Sequence, residues 1–241
     1  MLKKHLVIIV SSLFAVPGIG FADPACTAAA PIRGLAANAP PVVTPGLPWI
    51  PGVKIVPMAE MDPPFSSKEV EDHKKVFEQG YYLVSDESID NFKLSAQVAK
   101  FVEMTALKSC LTSPLSNMDS LPGPFSKMKL EGVIPSRQLT DGRWAQIERW
   151  YSLPNGALLS FTELDVEAAG DAVWLGKESI NETVNGAPAT LIARKNARGD
   201  AVTRLSWSMH NKYYTLQMSG HVRGLGNENL LVKLASSIQQ L

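Results

Sequence analysis

Apolar and polar positions alternate with two different periods along this chain, and the period changes near residue 126. Before that point, Leu94, Val98, Val102 and Ala106 recur every four residues and Phe101 widens the stripe. This spacing predicts a helix that starts near Asp90 and ends before Pro114. Upstream, Ser66-Ser67-Lys68-Glu69 fits a capping box, in which a serine side chain accepts from the backbone three residues on and the glutamate reaches back. It predicts a helix running to Gln79, with Gly80 as its stop.

After residue 126 the period is two. Met128, Leu130 and Ile134 alternate with polar residues, and Asp141-Gly142 and Pro154-Asn155-Gly156 are turn signals. Strands are expected at 143–153, 157–166, 177–183, 188–195, 202–209 and 213–219. Leu205, Trp207 and Met209 point one way, and Arg204, Ser206, Ser208 and His210 the other; Tyr214, Leu216 and Met218 repeat the pattern after a turn at Asn211-Lys212. A sheet with one apolar and one polar face is antiparallel and covered on one side. A last helix, capped by Asn227, would bury Leu231, Leu234, Ala235 and Ile238. The fold class is therefore α+β: a curved antiparallel meander with helices packed on one face and a C-terminal helix.

The start of the chain changes the picture of where this fold works. Lys3 and Lys4, an apolar run from Leu6 to Val16, the breakers Pro17 and Gly18, and Gly20-Phe21-Ala22 form the three parts of a secretory signal peptide, with cleavage expected after Ala22. The apolar run is too short for a bilayer span of about 20 residues. Asp23-Pro24-Ala25 before Cys26 does not resemble a lipidation site, so the mature chain is expected to be free of a lipid anchor, in the periplasm or secreted. Residues 23–64 hold ten of the 17 prolines and almost no charge, and read as an extended arm. Residues 65–241 read as a single α+β domain, with a helical part at 65–113 and a sheet part at 126–241.

Charge and cysteine content narrow the partners. The chain has 23 Lys+Arg and 23 Asp+Glu, and loss of Lys3 and Lys4 leaves it slightly acidic. Nothing in that balance attracts a phosphate backbone, so nucleic acid is not an expected partner, and no later stretch is apolar enough to span a membrane. The two cysteines, Cys26 and Cys110, are expected to pair in an oxidising compartment and tie the arm to a helix.

The chemistry is thin. There is no Gly-x-Ser-x-Gly and no His-Glu-x-x-His. Glu69 and His73 are spaced to share an ion on one helix face, but two ligands do not make a site. His210 lies beside a turn, where a solvated histidine is the simpler reading. Glu163, Asp165 and Glu167 sit two apart on a predicted strand, so their carboxylates share a face that could hold Ca²⁺ or supply an acid/base pair. A solvated strand face, with Thr162, Leu164 and Val166 inward, produces the same pattern and is favoured. Trp144, Gln146, Glu148 and Trp150 share another strand face, which could line a sugar or lipid cleft or belong to the core. The glycine-rich run Gly220 to Gly226 could hold an anion but lacks a complete phosphate-binding pattern. No cofactor is expected.

Four segments carry a resemblance. Thr183-Val184-Asn185-Gly186-Ala187-Pro188-Ala189, Leu205-Ser206-Trp207, Tyr213-Tyr214-Thr215-Leu216 and Leu230 to Ile238 resemble, in that order, the C-terminal part of lipoprotein-sorting-like half-barrels and the related sensors that regulate anti-sigma factors. They are about as similar to Mog1/PsbP-like domains. The resemblance covers roughly residues 177–240. It implies a binding module and no catalytic residues. The expected function is an exported, non-catalytic binding or protein-interaction module whose partner is an envelope protein, a lipid or a lipoprotein. The alternatives are an envelope hydrolase or Ca²⁺-binding protein using the acidic row, and a structural component of an envelope assembly.

Overall fold

A computed structural model describes residues 26, 53–61, 66–98, 104–118, 121, 123–171, 173–220 and 230–238. The signal-peptide segment, Asn227 and the Gly220–Gly226 run beyond its first residue lie outside the described residues.

The fold is α+β. Its strands are β1 (Val53–Val56), β2 (Tyr82–Leu83), β3 (Lys129–Gln138), β4 (Trp144–Ser152), β5 (Leu158–Asp165), β6 (Val173–Gly176), β7 (Glu182–Val184), β8 (Ala187–Lys195), β9 (Ala201–Met209) and β10 (Lys212–Ser219). The main sheet runs β2-β8-β9-β10-β5-β4-β3, with β7 also on β8. Neighbours are antiparallel except β2, which lies parallel to β8. The turn glycines Gly142, Gly156 and Gly186 all have positive φ, which a side chain would oppose. Asn185 precedes Gly186 at φ 49, so this pair turns β7 into β8 as a two-residue hairpin.

Helices α1 (Ser67–Gln79), α2 (Asp86–Val98), α3 (Met104–Lys108) and α4 (Leu230–Ser237) accompany the sheet. Helix α1 has the full capping box at Ser66 and Glu69 and ends at Gly80 in the left-handed region. The helix expected from about Asp90 to Pro114 starts earlier than the spacing predicts. Helix α2 begins at Asp86, where Asp86 and Glu87 favour the positive end of the helix dipole; α3 covers Met104–Lys108, and residues 99–103 between them, with Phe101 and Val102 of the expected stripe, lie outside the described residues. Leu94, placed in the buried stripe by the four-residue spacing, is 49 % exposed. The face that is buried instead carries Ile89 and Phe92, with Ala96 partly covered, because these are the side chains opposite Trp150 on the sheet.

One face of the sheet meets α4. Leu205, Trp207, Tyr214 and Leu216 are buried in one cluster with Leu231, Leu234, Ala235 and Ile238, as the alternation requires. Phe161, Trp207 and Tyr214 stack there with ring centroids 5.1 to 6.3 Å apart. The structure adds a second covered region on the other face, which alternation marks as polar. There, Ile89 and Phe92 of α2 pack on Trp150 and Val202, and the Phe92 and Trp150 rings lie 5.0 Å apart. Ser160, Ser206 and Ser208 are buried on that face as well, so it is not simply solvated.

Cys26 and Cys110 are joined by a disulfide that spans 84 positions of sequence. It packs with Leu107, Val133, Trp144 and Ile147. Part of the proline-rich segment also joins the fold. Strand β1 pairs in parallel with β6, apart from the main sheet, and Met58 just beyond it is buried. No described helix is long and apolar enough to cross a membrane.

Candidate functional site

Among the described residues, a cluster of buried charges forms in the sheet where β4, β5 and β10 run side by side beneath residues 114–116. Strand pairing sets it up. Glu163 lies between Ile147 and Tyr214, and Asp165 lies opposite Lys212. All of these side chains point to the face that α4 covers further along the sheet, because they are in phase with Phe161 and Leu216. Sequence alternation assigned Glu163 and Asp165 to a solvated face, and the structure reverses this: they are only 3 % and 5 % exposed. Glu167 lies beyond the end of β5, in a turn, and is exposed. The three carboxylates therefore do not form a row. Among the described residues no group of three or more His, Cys, Asp or Glu side chains could hold a metal ion.

Glu163 is engaged through both carboxylate oxygens. Its Oε1 accepts the Ser116 backbone N–H at 3.0 Å and the Ser116 hydroxyl at 2.8 Å. Its Oε2 accepts from the Arg149 guanidinium, and Lys212 Nζ lies 3.6 Å from Oε1. Arg149 also donates to the Ser116 carbonyl at 3.1 Å and sits 5.0 Å from the centre of the Phe161 ring. Lys212 Nζ donates to the Pro114 carbonyl, and Asp165 accepts the Ala168 backbone N–H at 3.0 Å. Burial, and secondarily the Glu163 charge, push the Tyr214 phenol up to about 12. Two cations and two carboxylates thus balance one another inside the protein, and three of the four, Glu163, Arg149 and Lys212, direct hydrogen bonds to segment 114–116. Three of the roughly four lone-pair sites of the Glu163 carboxylate are thereby taken by protein donors. A cavity of about 10 Å³, bordered by Trp144, Gln146, Glu163, Asp165 and Lys212, lies alongside. That is room for about one water molecule.

The tryptophan face is likewise interior. Trp144 packs beside the disulfide and Trp150 lies under Phe92. Between them Glu148 is half-buried among apolar neighbours, opposite Ile134 and Thr162. Burial raises its carboxyl to about 7, against the opposing pull of the Ser160 hydroxyl and the Trp150 N–H. Glu69 is committed to the capping box, accepting the Ser66 N–H at 2.7 Å. His210 is an exposed turn residue at φ 56.

Sequence reading missed Arg149, Lys212 and Ser116. The signal was present for two of them. Arg149 falls in phase with Ile147 and Tyr151, and Lys212 with Tyr214 and Leu216, so each is a cation on an apolar row. Such a cation requires a buried anion, and Glu163 and Asp165 are the anions in register. Ser116 lies in an irregular segment and gave no such signal.

Compared with known protein families, with curated proteins and with solved structures, the chain matches none.

Proposed function

We propose that this chain is an exported, non-catalytic module that binds another protein of the cell envelope. The observation that carries the reading is the exposure of large apolar side chains on consecutive elements of the helical layer. Phe77 at the end of α1 is 47 % exposed, Leu83 on β2 is 66 % exposed, and Leu94 on α2 is 49 % exposed. Apolar exposure of this kind, beside a core as closely packed as that beneath α4, suits a protein surface better than a lipid cavity. The charged residues with the best claim to chemistry are meanwhile used to hold segment 114–116 in place. The disulfide agrees with an oxidising compartment. The signal peptide and the resemblance of residues 177–240 to envelope modules point the same way.

Site-specific photo-crosslinking in intact envelopes tests the reading. A photoreactive residue at Phe77 or Leu83 should capture one discrete protein partner, and one at exposed Arg143 should not. Equal capture at all three positions, or none, would overturn it. Export is tested separately by mass spectrometry: the mature N-terminus should be Asp23, and an intact Met1 in the envelope would remove the signal peptide from the argument.

A further inference from the structure

On the face of the sheet opposite α4, strand register brings two arginines together, with no carboxylate paired to either among the described residues. Arg194 of β8 pairs with Val202 of β9, and Arg204 of β9 pairs with Ile192 of β8. The two arginines therefore share a face and are diagonal neighbours. Gln217 of β10, the partner of Arg204, accepts a hydrogen bond from Arg194 at 3.2 Å. Tyr82 of β2 is the partner of Arg194 across the parallel pair. His73 of α1 completes the ring: its imidazole is held below the ordinary histidine range by burial first and by the Arg204 charge second.

The carboxylates whose charge acts on His73, Asp72 and Glu69, already have other partners. Glu69 is held by the capping box, and Asp72 is paired with Lys68 and Lys75. Among the described residues, neither Arg194 nor Arg204 has a carboxylate partner. Arg194 is half-buried, and both burial and its arginine neighbour disfavour its charge. Side-by-side guanidinium groups with one partly desolvated are unfavourable until an anion sits between them. Two guanidinium forks with a phenol at the rim offer more donors than the two oxygens of a carboxylate can use, and match the oxygens of a phosphate.

We infer that Arg194 and Arg204, with Gln217, Tyr82 and His73 around them, form a binding site for a phosphate group. This goes beyond the protein-binding reading and does not depend on it. The phosphate could be free or carried by a lipid headgroup, and the two arms of the test separate these sources.

The test uses the mature chain with its disulfide intact. Inorganic phosphate is titrated at low ionic strength and followed by calorimetry and by the His73 imidazole resonances. In parallel, vesicles of zwitterionic lipid with and without phosphatidylglycerol are tested by co-sedimentation. Saturable binding is expected in at least one arm, weakened at least tenfold by Arg204→Gln and unchanged by Arg143→Gln. Arg204 is exposed, so its substitution leaves the fold intact; Arg194→Gln gives a second variant. In the phosphate arm, bound anion should also raise the His73 pKa by cancelling the Arg204 charge. Binding in the vesicle arm alone assigns the site to a lipid headgroup. No saturable binding in either arm, or equal binding by Arg204→Gln, would overturn the inference.

Discussion

Arg149 on β4 and Glu163 on β5 form a buried ion pair, with the Arg149 guanidinium donating to the Glu163 carboxylate and both side chains nearly excluded from solvent. Removing one partner leaves the other charged and uncompensated in the interior. Such a break typically costs about 3–5 kcal/mol. Glu163→Ala should lower stability by that much in urea denaturation, while Glu167→Ala in the exposed turn should stay within about 0.5 kcal/mol of the wild type. Equal, small effects would return Glu163 to the surface and revive the acidic-row reading.

Glu148 gives a pH dependence of opposite sign to that of a paired carboxylate. Its folded-state pKa is raised to about 7 by burial, while in the unfolded chain it titrates near the ordinary value of about 4.3. Between these values the folded protein keeps a proton that the unfolded chain has lost, so this group's contribution to stability falls as pH rises through that window and levels off above it. The full change is at most about 3–4 kcal/mol. Glu148→Gln removes the titration. It should flatten the loss of stability between pH 5 and pH 8, with the variant gaining most over wild type at pH 8. A parallel loss in both proteins, measured by urea denaturation at the two pH values, would place Glu148 in solvent.

The extent to which this fold could be read depends on what sets each element. The hairpin of β9 and β10 was legible because both strands alternate strictly and a one-residue slip would bury Arg204 and Thr215 in place of Leu205 and Leu216. Helix α1 was legible because its start and stop are local chemistry at Ser66, Glu69 and Gly80. Leu94 was misplaced because a four-residue stripe does not say which face a sheet will cover; Trp150, more than fifty residues away, decides that. Glu163 was misplaced for a related reason. Alternation separates two faces without saying which is interior, and a carboxylate is taken as exposed by default. Only its pairing with Arg149 and Lys212, on two other strands, makes its burial tolerable.

Trp207 and Ser206 are adjacent on β9 and face opposite sides of the sheet. Trp207 stacks on Tyr214 with ring centroids 5.1 Å apart beneath α4. Trp207→Ala should cost about 3–5 kcal/mol. Ser206 is not on an open face: it is buried, and its hydroxyl lies 3.2 Å from that of Thr215 across the hairpin. Ser206→Ala should therefore cost about 1 kcal/mol, through the hydrogen bond lost and the Thr215 hydroxyl left unpaired. A silent Ser206→Ala would mean that water reaches Thr215.

Gly176 tests whether the end of the proline-rich segment is seated on the domain. It pairs with Val56 at the end of the β1–β6 ladder, and a Cβ added to it would lie 2.4 Å from Met58 Cγ. Met58 is buried, and its backbone N–H donates to Glu178 Oε2 at 2.8 Å. The backbone at Gly176 has φ −66, which alanine adopts without strain. On backbone grounds alone, Gly176→Ala should stabilise by about 0.4–1 kcal/mol through a less flexible unfolded chain. The contact with Met58 opposes this. Met58 Cγ is close to its own backbone and cannot swing aside as the tip of a long side chain can, so the added methyl should overpack the site at a cost of about 1–3 kcal/mol. The steric term exceeds the entropic one, and the net effect should be destabilising. The loss should be local, with hydrogen exchange at residues 53–58 rising more than that of β9 and β10. Met58→Ala in the Gly176→Ala background removes the offending Cγ, so the pair should be less destabilising together than the sum of the single changes. A Gly176→Ala protein that is more stable than wild type, with unchanged protection at 53–58, would show that Met58 does not rest there and that β1 is not held to β6.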